Sequence, residues 1–162
     1  LASFEDLALQ SDVADWLGPY LGDIRSLQQL SRGQLADALR FRAGHEFSQN
    51  FESLVPKRYT TPAGSSLKIN YHSHKAVLAV KPQELFGLDT HPTIADGAMR
   101  LELELVSPAG RPIQITTDLP GFWRGSWQDV RKDLRGRYPK HAWPEDPLTA
   151  QPTQRAKPRG TK

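Results

Sequence analysis

The stretch "MRLELELVSPAGRPIQITTD", Met99 to Asp118, decides how the chain is organised. Leu101, Leu103 and Leu105 alternate with Glu102 and Glu104, a period of two that gives a strand one apolar face and one charged face. Ser107-Pro108-Ala109-Gly110 then supplies turn chemistry, with proline second and glycine fourth. Ile113 and Ile115 carry the alternation onto a return strand. A hairpin that is apolar on one side needs a covering layer, so an α+β fold is expected.

Upstream, "SSLKINYHSHKAVLAVKPQELFG" (Ser65 to Gly87) predicts a strand near Leu67 to His72, a turn, and a second strand over Ala76 to Lys81. Pro82 suits the first position of a short helical turn reaching Phe86, and Gly87 closes it. The two hairpins together predict a mainly antiparallel sheet of about four strands.

The first third reads as helices. Ser3 with Asp6, and then Ser11, offer N-cap chemistry ahead of Leu7, Val13, Trp16 and Leu17. Gly18-Pro19 is expected to break that run, and Ile24, Leu27 and Leu30 make another turn or two. Ser31 and Gln34 have capping-box spacing. Leu35, Leu39, Phe47, Phe51 and Leu54 then form an amphipathic pattern with Gly44 inside it, which predicts two helices meeting near that glycine. Pro56 ends the helical part.

Beyond the second hairpin, Asp118 can cap a helix that tolerates Pro120 in its first turn. Trp123, Trp127, Val130 and Leu134 fall at i, i+4, i+7 and i+11, the stripe of a single amphipathic helix packed on the sheet, with Gly136 as its C-terminal cap. "YPKHAWPEDP", Tyr138 to Pro147, is held extended by three prolines. Trp143 in it reads as a latch onto the body. The last fifteen residues carry no large apolar group after Leu148 and are expected to be disordered. The organisation is then a helical segment over 1–56, an α+β domain over 57–147 and a basic tail over 148–162.

Composition narrows the possible functions. The chain has 162 residues, 38% of them apolar and 24% charged, enough for one modest core. It contains no cysteine, which excludes disulfides and cysteine-ligated metal sites and agrees with a reducing, cytoplasmic setting. The apolar run Ala76 to Val80 is too short to cross a bilayer, and the start lacks signal-peptide character. The first residue is leucine, the expectation for a processed product or a piece of a longer protein. Residues 1–120 hold 11 Lys and Arg against 14 Asp and Glu, whereas residues 121–162 hold 10 against 4. A basic end on a mildly acidic body suits RNA, DNA or an acidic partner, and equally suits an unstructured tail.

Catalytic motifs are missing. No glycine precedes a lysine, so no Walker-type phosphate loop exists. Ser126 lacks the flanking glycines of a nucleophile elbow. His72 and His74 would share a strand face, but a third metal ligand would have to come from distant His91 or His141; the pair reads better as a polar hairpin tip. Glu102 and Glu104 read as a solvated sheet face rather than an acid–base pair.

The basic residues of the last helix are the candidate nucleic-acid contacts. At 100° per residue Arg124, Arg131 and Arg135 fall within about 40° of each other on one flank of the tryptophan stripe, with Asp129 and Asp133 toward the other. Lys132 points outward, and Arg137 and Lys140 extend the row. Guanidinium groups so spaced could bridge successive phosphates, and Tyr138 or Trp143 could stack on an unpaired base. The alternative is a buried indole stripe with an ordinary solvated arginine rim.

"LAVKPQELFG", the run from Leu105 to Pro147, and the closing "PTQRAKPR" (Pro152 to Arg159) resemble the C-terminal region of the bacterial HrpB family of DEAH-box ATP-dependent RNA helicases. The resemblance is densest over Leu101 to Pro147 and reaches back through "TTPAGSSLKINY" to the helical start. It implies an accessory domain of a nucleic-acid-stimulated NTPase, monomeric and without a membrane anchor, whose parent is an enzyme although this piece is not. ATP and Mg2+ then belong to the upstream helicase core, and no catalytic, cofactor or metal residue carries over. The implied partners are that core and RNA or another single strand; the rival expectation is a protein-interaction module acting through the acidic sheet face or the proline-rich segment.

Overall fold

The computed structural model describes residues 6–155 and divides the chain into two compact units, Leu1–Ser53 and Leu54–Lys162. The first unit is helical: α1 (Asp6–Ser11), α2 (Val13–Leu21), α3 (Arg32–Ala43) and α4 (His45–Leu54). Ser31 caps α3 as expected: its hydroxyl accepts from the Gln34 N–H at 3.2 Å, and the Gln34 side chain takes the Ser31 N–H at 3.1 Å. Both orphan donors are thereby satisfied. Gly44 separates α3 from α4 with φ at 93°, a conformation that penalises any side chain. Trp16, Leu17 and Ala38 form this unit's core, and the Trp16 indole donates to Leu9 O. Arg42 pairs with Asp12 across it.

Two details of this unit differ from the sequence expectation. Gly18-Pro19 does not break α2, which runs on to Leu21. Pro19 stands in the last turn, so it forfeits only one late helical hydrogen bond, and the preceding Gly18 has no Cβ for the ring to strike. Ser11 closes α1, donating to Ala8 O, and Asp12 stands at the start of α2 instead. Ser3 lies outside the described residues.

The second unit carries the sheet. β1 (Arg58–Thr60) and β2 (Ser66–Lys68) form an antiparallel ribbon. β3 (Asn70–His72), β4 (Lys75–Val80), β7 (Glu102–Val106) and β8 (Pro112–Thr116) form a four-stranded sheet in the order β3-β4-β7-β8. The two expected hairpins are its halves, and they join through a parallel β4–β7 pair. The connection between them holds the 3-10 turn Pro82–Leu85 and a small ribbon of β5 (Thr93–Ile94) with β6 (Met99–Arg100). The strand expected over residues 67–72 is divided at Ile69, which is buried and donates its N–H to Lys57 O at 3.0 Å. Residues before it pair with β1 and residues after it with β4.

Leu101, Leu103 and Leu105 are fully buried, as their alternation requires. Ile115 departs from expectation. A register shift at Leu105/Val106 sets Leu105 opposite Gln114 and Glu104 opposite Ile115, so Ile115 lies on the charged face and is 61% exposed. One extra residue in a strand inverts the faces on either side of it, and Ile113 is the residue that packs on the core.

The helical cover of the sheet is two helices rather than one rod: α5 (Leu119–Arg124) and α6 (Trp127–Arg137). Asp118 caps α5 by accepting from the Gly121 N–H at 3.0 Å, with Pro120 in the first turn. The break comes at Gly125, with φ at −105° and ψ at −88°, where an added Cβ would lie 3.2 Å from Gly121 O. Gly136 does not end α6; the helix closes through the Tyr138 N–H to Leu134 O at 2.8 Å. Trp123, Trp127 and Leu134 are buried all the same, the two tryptophans packed with Phe86 and Phe122. Each indole N–H has a carbonyl: Trp123 on Leu88, Trp127 on Pro144, Trp143 on Tyr138. A buried indole needs such a partner to avoid the cost of a lost hydrogen bond.

The tail expected to be disordered is placed as far as Arg155. Gly87 donates to Pro147 O, Thr153 to Gln83 O at 2.9 Å and the Gln154 amide to Ala63 O at 2.7 Å. Hydrogen bonds to backbone carbonyls, with only the small Ala150 packed on the core, hold this segment, which is why its hydropathy did not announce it. Lys157, Arg159 and Lys162 lie outside the described residues.

Candidate nucleic-acid interface

The helix break rearranges the expected basic row. Arg124 ends α5, whereas Arg131, Lys132, Arg135 and Arg137 belong to α6 and Lys140 follows it. Arg131 and Arg135, four residues apart, share an edge of α6, but their surroundings differ. The Arg131 side chain is only 17% exposed, and its Nε donates to Trp143 O at 2.9 Å while Nη2 meets Glu145 at 3.2 Å. It fastens the proline-rich segment to the helix. Arg137 pairs with Asp133 at 3.2 Å. Arg124, Lys132, Arg135 and Lys140 are exposed, and among the described residues they have no ion pair. Arg135 and Arg137 also stand in the last turn, where cations complement the helix dipole.

The other flank of α6 is a groove of about 440 Å³ whose lining mixes Asp129 and Asp133 with Arg111 and Arg137. That balance does not favour an anion. Tyr138 is half-buried, and Trp143 spends its ring on Trp127, which leaves the base-stacking role imagined for them unsupported.

A second concentration of charge lies on residues of which the sequence singled out only His72. A cleft of about 790 Å³ beside the β1–β2 ribbon is lined by Lys57, Arg58, Lys68, Tyr71 and His72, with Glu104 as its one acidic residue. The signal was present as "KRY" and "KINY", but only pairing places these segments side by side. His91 is unavailable to His72 and His74: one ring nitrogen meets Leu101 O at 2.7 Å and the other accepts from the Leu119 N–H at 3.0 Å. Among the described residues no group of three or more His, Cys, Asp or Glu could hold a metal, and no helix is long and apolar enough to cross a membrane.

Comparison with known proteins agrees with this architecture. Residues 16–147 match the family described as "ATP-dependent helicase C-terminal". An ATP-dependent RNA helicase, HrpB of Escherichia coli strain K12, is 44% identical over 154 residues, covering 94% of this chain and 19% of that protein. The crystal structure of the E. coli DExH-box NTPase HrpB superimposes with a TM-score of 0.76 at 43% identity, over 95% of this chain and 19% of that one. A crystal structure of the Escherichia coli DEAH/RHA helicase HrpB gives 0.61 at 40% identity, over 88% and 18%. The chain thus spans about a fifth of the length of these relatives.

Proposed function

This chain belongs to the HrpB family of ATP-dependent helicases, matching its C-terminal domain, and from that premise we propose that it is an accessory domain that packs on the family's helicase core and offers RNA a cationic edge. ATP and Mg2+ work in that upstream core, in the cytoplasm. The domain supplies position and charge rather than chemistry, since no residue here resembles a phosphate loop.

One observation carries the RNA reading: Lys132 and Arg135 stand exposed, without counter-ions among the described residues, on a helix whose opposite side is fixed by the buried Trp127. Cations held on a rigid element bind phosphates with little ordering cost. With Lys140 they neutralise about three phosphates, a salt slope of about −2 on a single strand. Fluorescence anisotropy with labelled single-stranded RNA tests this. Lys132→Ala with Arg135→Ala should weaken binding several-fold and flatten the salt slope by about 1.4, with unchanged circular dichroism. Full affinity in that folded double variant would remove α6 from the RNA path.

A protein-docking role has one feature in its favour. Ile115, 61% exposed, sits opposite Glu104 on the outer sheet face. The acidic part of that face is already partly satisfied, because Lys75 pairs with Glu102 at 2.7 Å. If Ile115→Ser releases this domain from the helicase core while RNA binding is untouched, docking is the function of that face.

A further inference from the structure

The cleft beside the β1–β2 ribbon has a composition that core packing does not require. Arg58 and Lys68 are directly opposed cross-strand partners in the antiparallel pair. Like charges in that relation destabilise a hairpin. The Arg58 guanidinium is also held in place: Nε donates to the Ser66 hydroxyl at 2.8 Å and a terminal nitrogen donates to Ser66 O. A held guanidinium and an exposed ammonium thus stand side by side at the mouth of one concave surface.

Tyr71 supplies a different element. It follows the chain's crossing at Ile69, lines the same cleft, is 41% exposed, and its hydroxyl donates to Pro56 O at 2.8 Å. An aromatic ring tethered at its far end presents a fixed flat face. Asn70 and Glu104 line the same cleft and offer hydrogen-bonding groups for a base edge. Cations on a short edge ribbon also discourage strand-to-strand aggregation, but that purpose calls for neither concavity nor an anchored aromatic.

We propose that this cleft is a binding site for single-stranded nucleic acid, in which Arg58 and Lys68 share one or two backbone phosphates and Tyr71 stacks a base. A polyanion turns the repulsion within the ribbon into attraction, and a base face needs no particular sequence to stack. The partner class is that of the α6 edge, but the residues are different, so either surface can fail alone.

The test uses the 162-residue chain and a fluorescein-labelled single-stranded oligoribonucleotide of about 12 nucleotides, within the usual reach of such sites. Lys68→Glu should weaken binding about tenfold or more and flatten the salt slope by at least about 0.7, while raising the thermal midpoint, since it sets a carboxylate opposite Arg58. A rise in stability with a loss of affinity separates a binding role from a structural one. Tyr71→Leu should weaken binding about fivefold with the salt slope unchanged, and Tyr71→Phe should retain most of the affinity. A blunt RNA duplex, whose bases are stacked already, should not respond to Tyr71→Leu. If the folded Lys68→Glu and Tyr71→Leu variants both bind the single strand as the parent chain does, the cleft is no site. Should Lys132→Ala with Arg135→Ala abolish binding in that same case, only the α6 reading survives.

Discussion

Trp143 lies against Trp127 with ring centroids 5.9 Å apart and planes only 23° from parallel. Trp127 is fully buried and makes edge contacts to Phe86 and Trp123, both at 5.5 Å. The extended proline-rich segment therefore reaches the core through one half-buried indole. Arg131 fixes it from the helix side by donating to Trp143 O at 2.9 Å.

Removing that latch should destabilise the second unit without unfolding it. Trp143→Ala gives up a half-buried aromatic and its stacking, a loss of about 2 kcal/mol, whereas Trp127→Ala empties a fully buried site and should cost about 4 kcal/mol. Urea midpoints followed by tryptophan fluorescence measure both. Equal losses would mean the latch is as much core as the residue it covers.

Arg131 and Arg135 share an edge of α6 but should behave in opposite ways. Arg131→Ala leaves the Trp143 carbonyl and Glu145 without their donor and should lower stability by about 1 kcal/mol. Arg135→Ala gives up only an exposed helix-dipole contact, so it should move the melting temperature less than Arg131→Ala does and lower RNA affinity. Arg131→Lys should restore little of the stability, because one ammonium cannot reproduce a planar fork aimed at two acceptors. Melting curves and anisotropy on the three single variants check the split.

His91 gives the fold a pH dependence of defined sign. Burial, with help from the Arg100 charge, holds its folded pKa below the ordinary 6.5, against the opposing pull of its bond to Leu101 and the nearby Asp118. Its neutral ring accepts from Leu119 and donates to Leu101, bonds that protonation would divide. The unfolded chain then takes up protons first, so stability is fully present above pH 6.5 and is lost as pH falls from there through the folded pKa. His141, also lowered by burial and by Lys81, adds in the same direction. His91→Gln should therefore retain part of the acid loss rather than none, as read from urea midpoints across that range. An acid limb identical to that of the parent chain would exclude His91 as its source.

Much of this molecule was legible locally. The capping box at Ser31 and Gln34, the meeting of helices at Gly44, the buried leucines at 101, 103 and 105 and the Asp118 cap all follow from interactions within a few residues. The break at Gly125 was hidden because Trp123, Trp127, Val130 and Leu134 satisfy a helical period on both sides of it. The exposure of Ile115 was hidden because a strand's alternation cannot reveal where its partner slips by one residue.

The sequence by itself determined the main helices and the two hairpins and the apolar face of Leu101, Leu103 and Leu105, since side-chain size, branching and spacing act along the chain. Tertiary structure alone decided what the charges do. It consumed Arg131 in a carbonyl bond, left Arg135 to solvent, and set Arg58 opposite Lys68 across a ribbon. The reason is physical: a cation's role depends on what lies within a few ångströms of it, and pairing and packing bring those neighbours from distant parts of the chain.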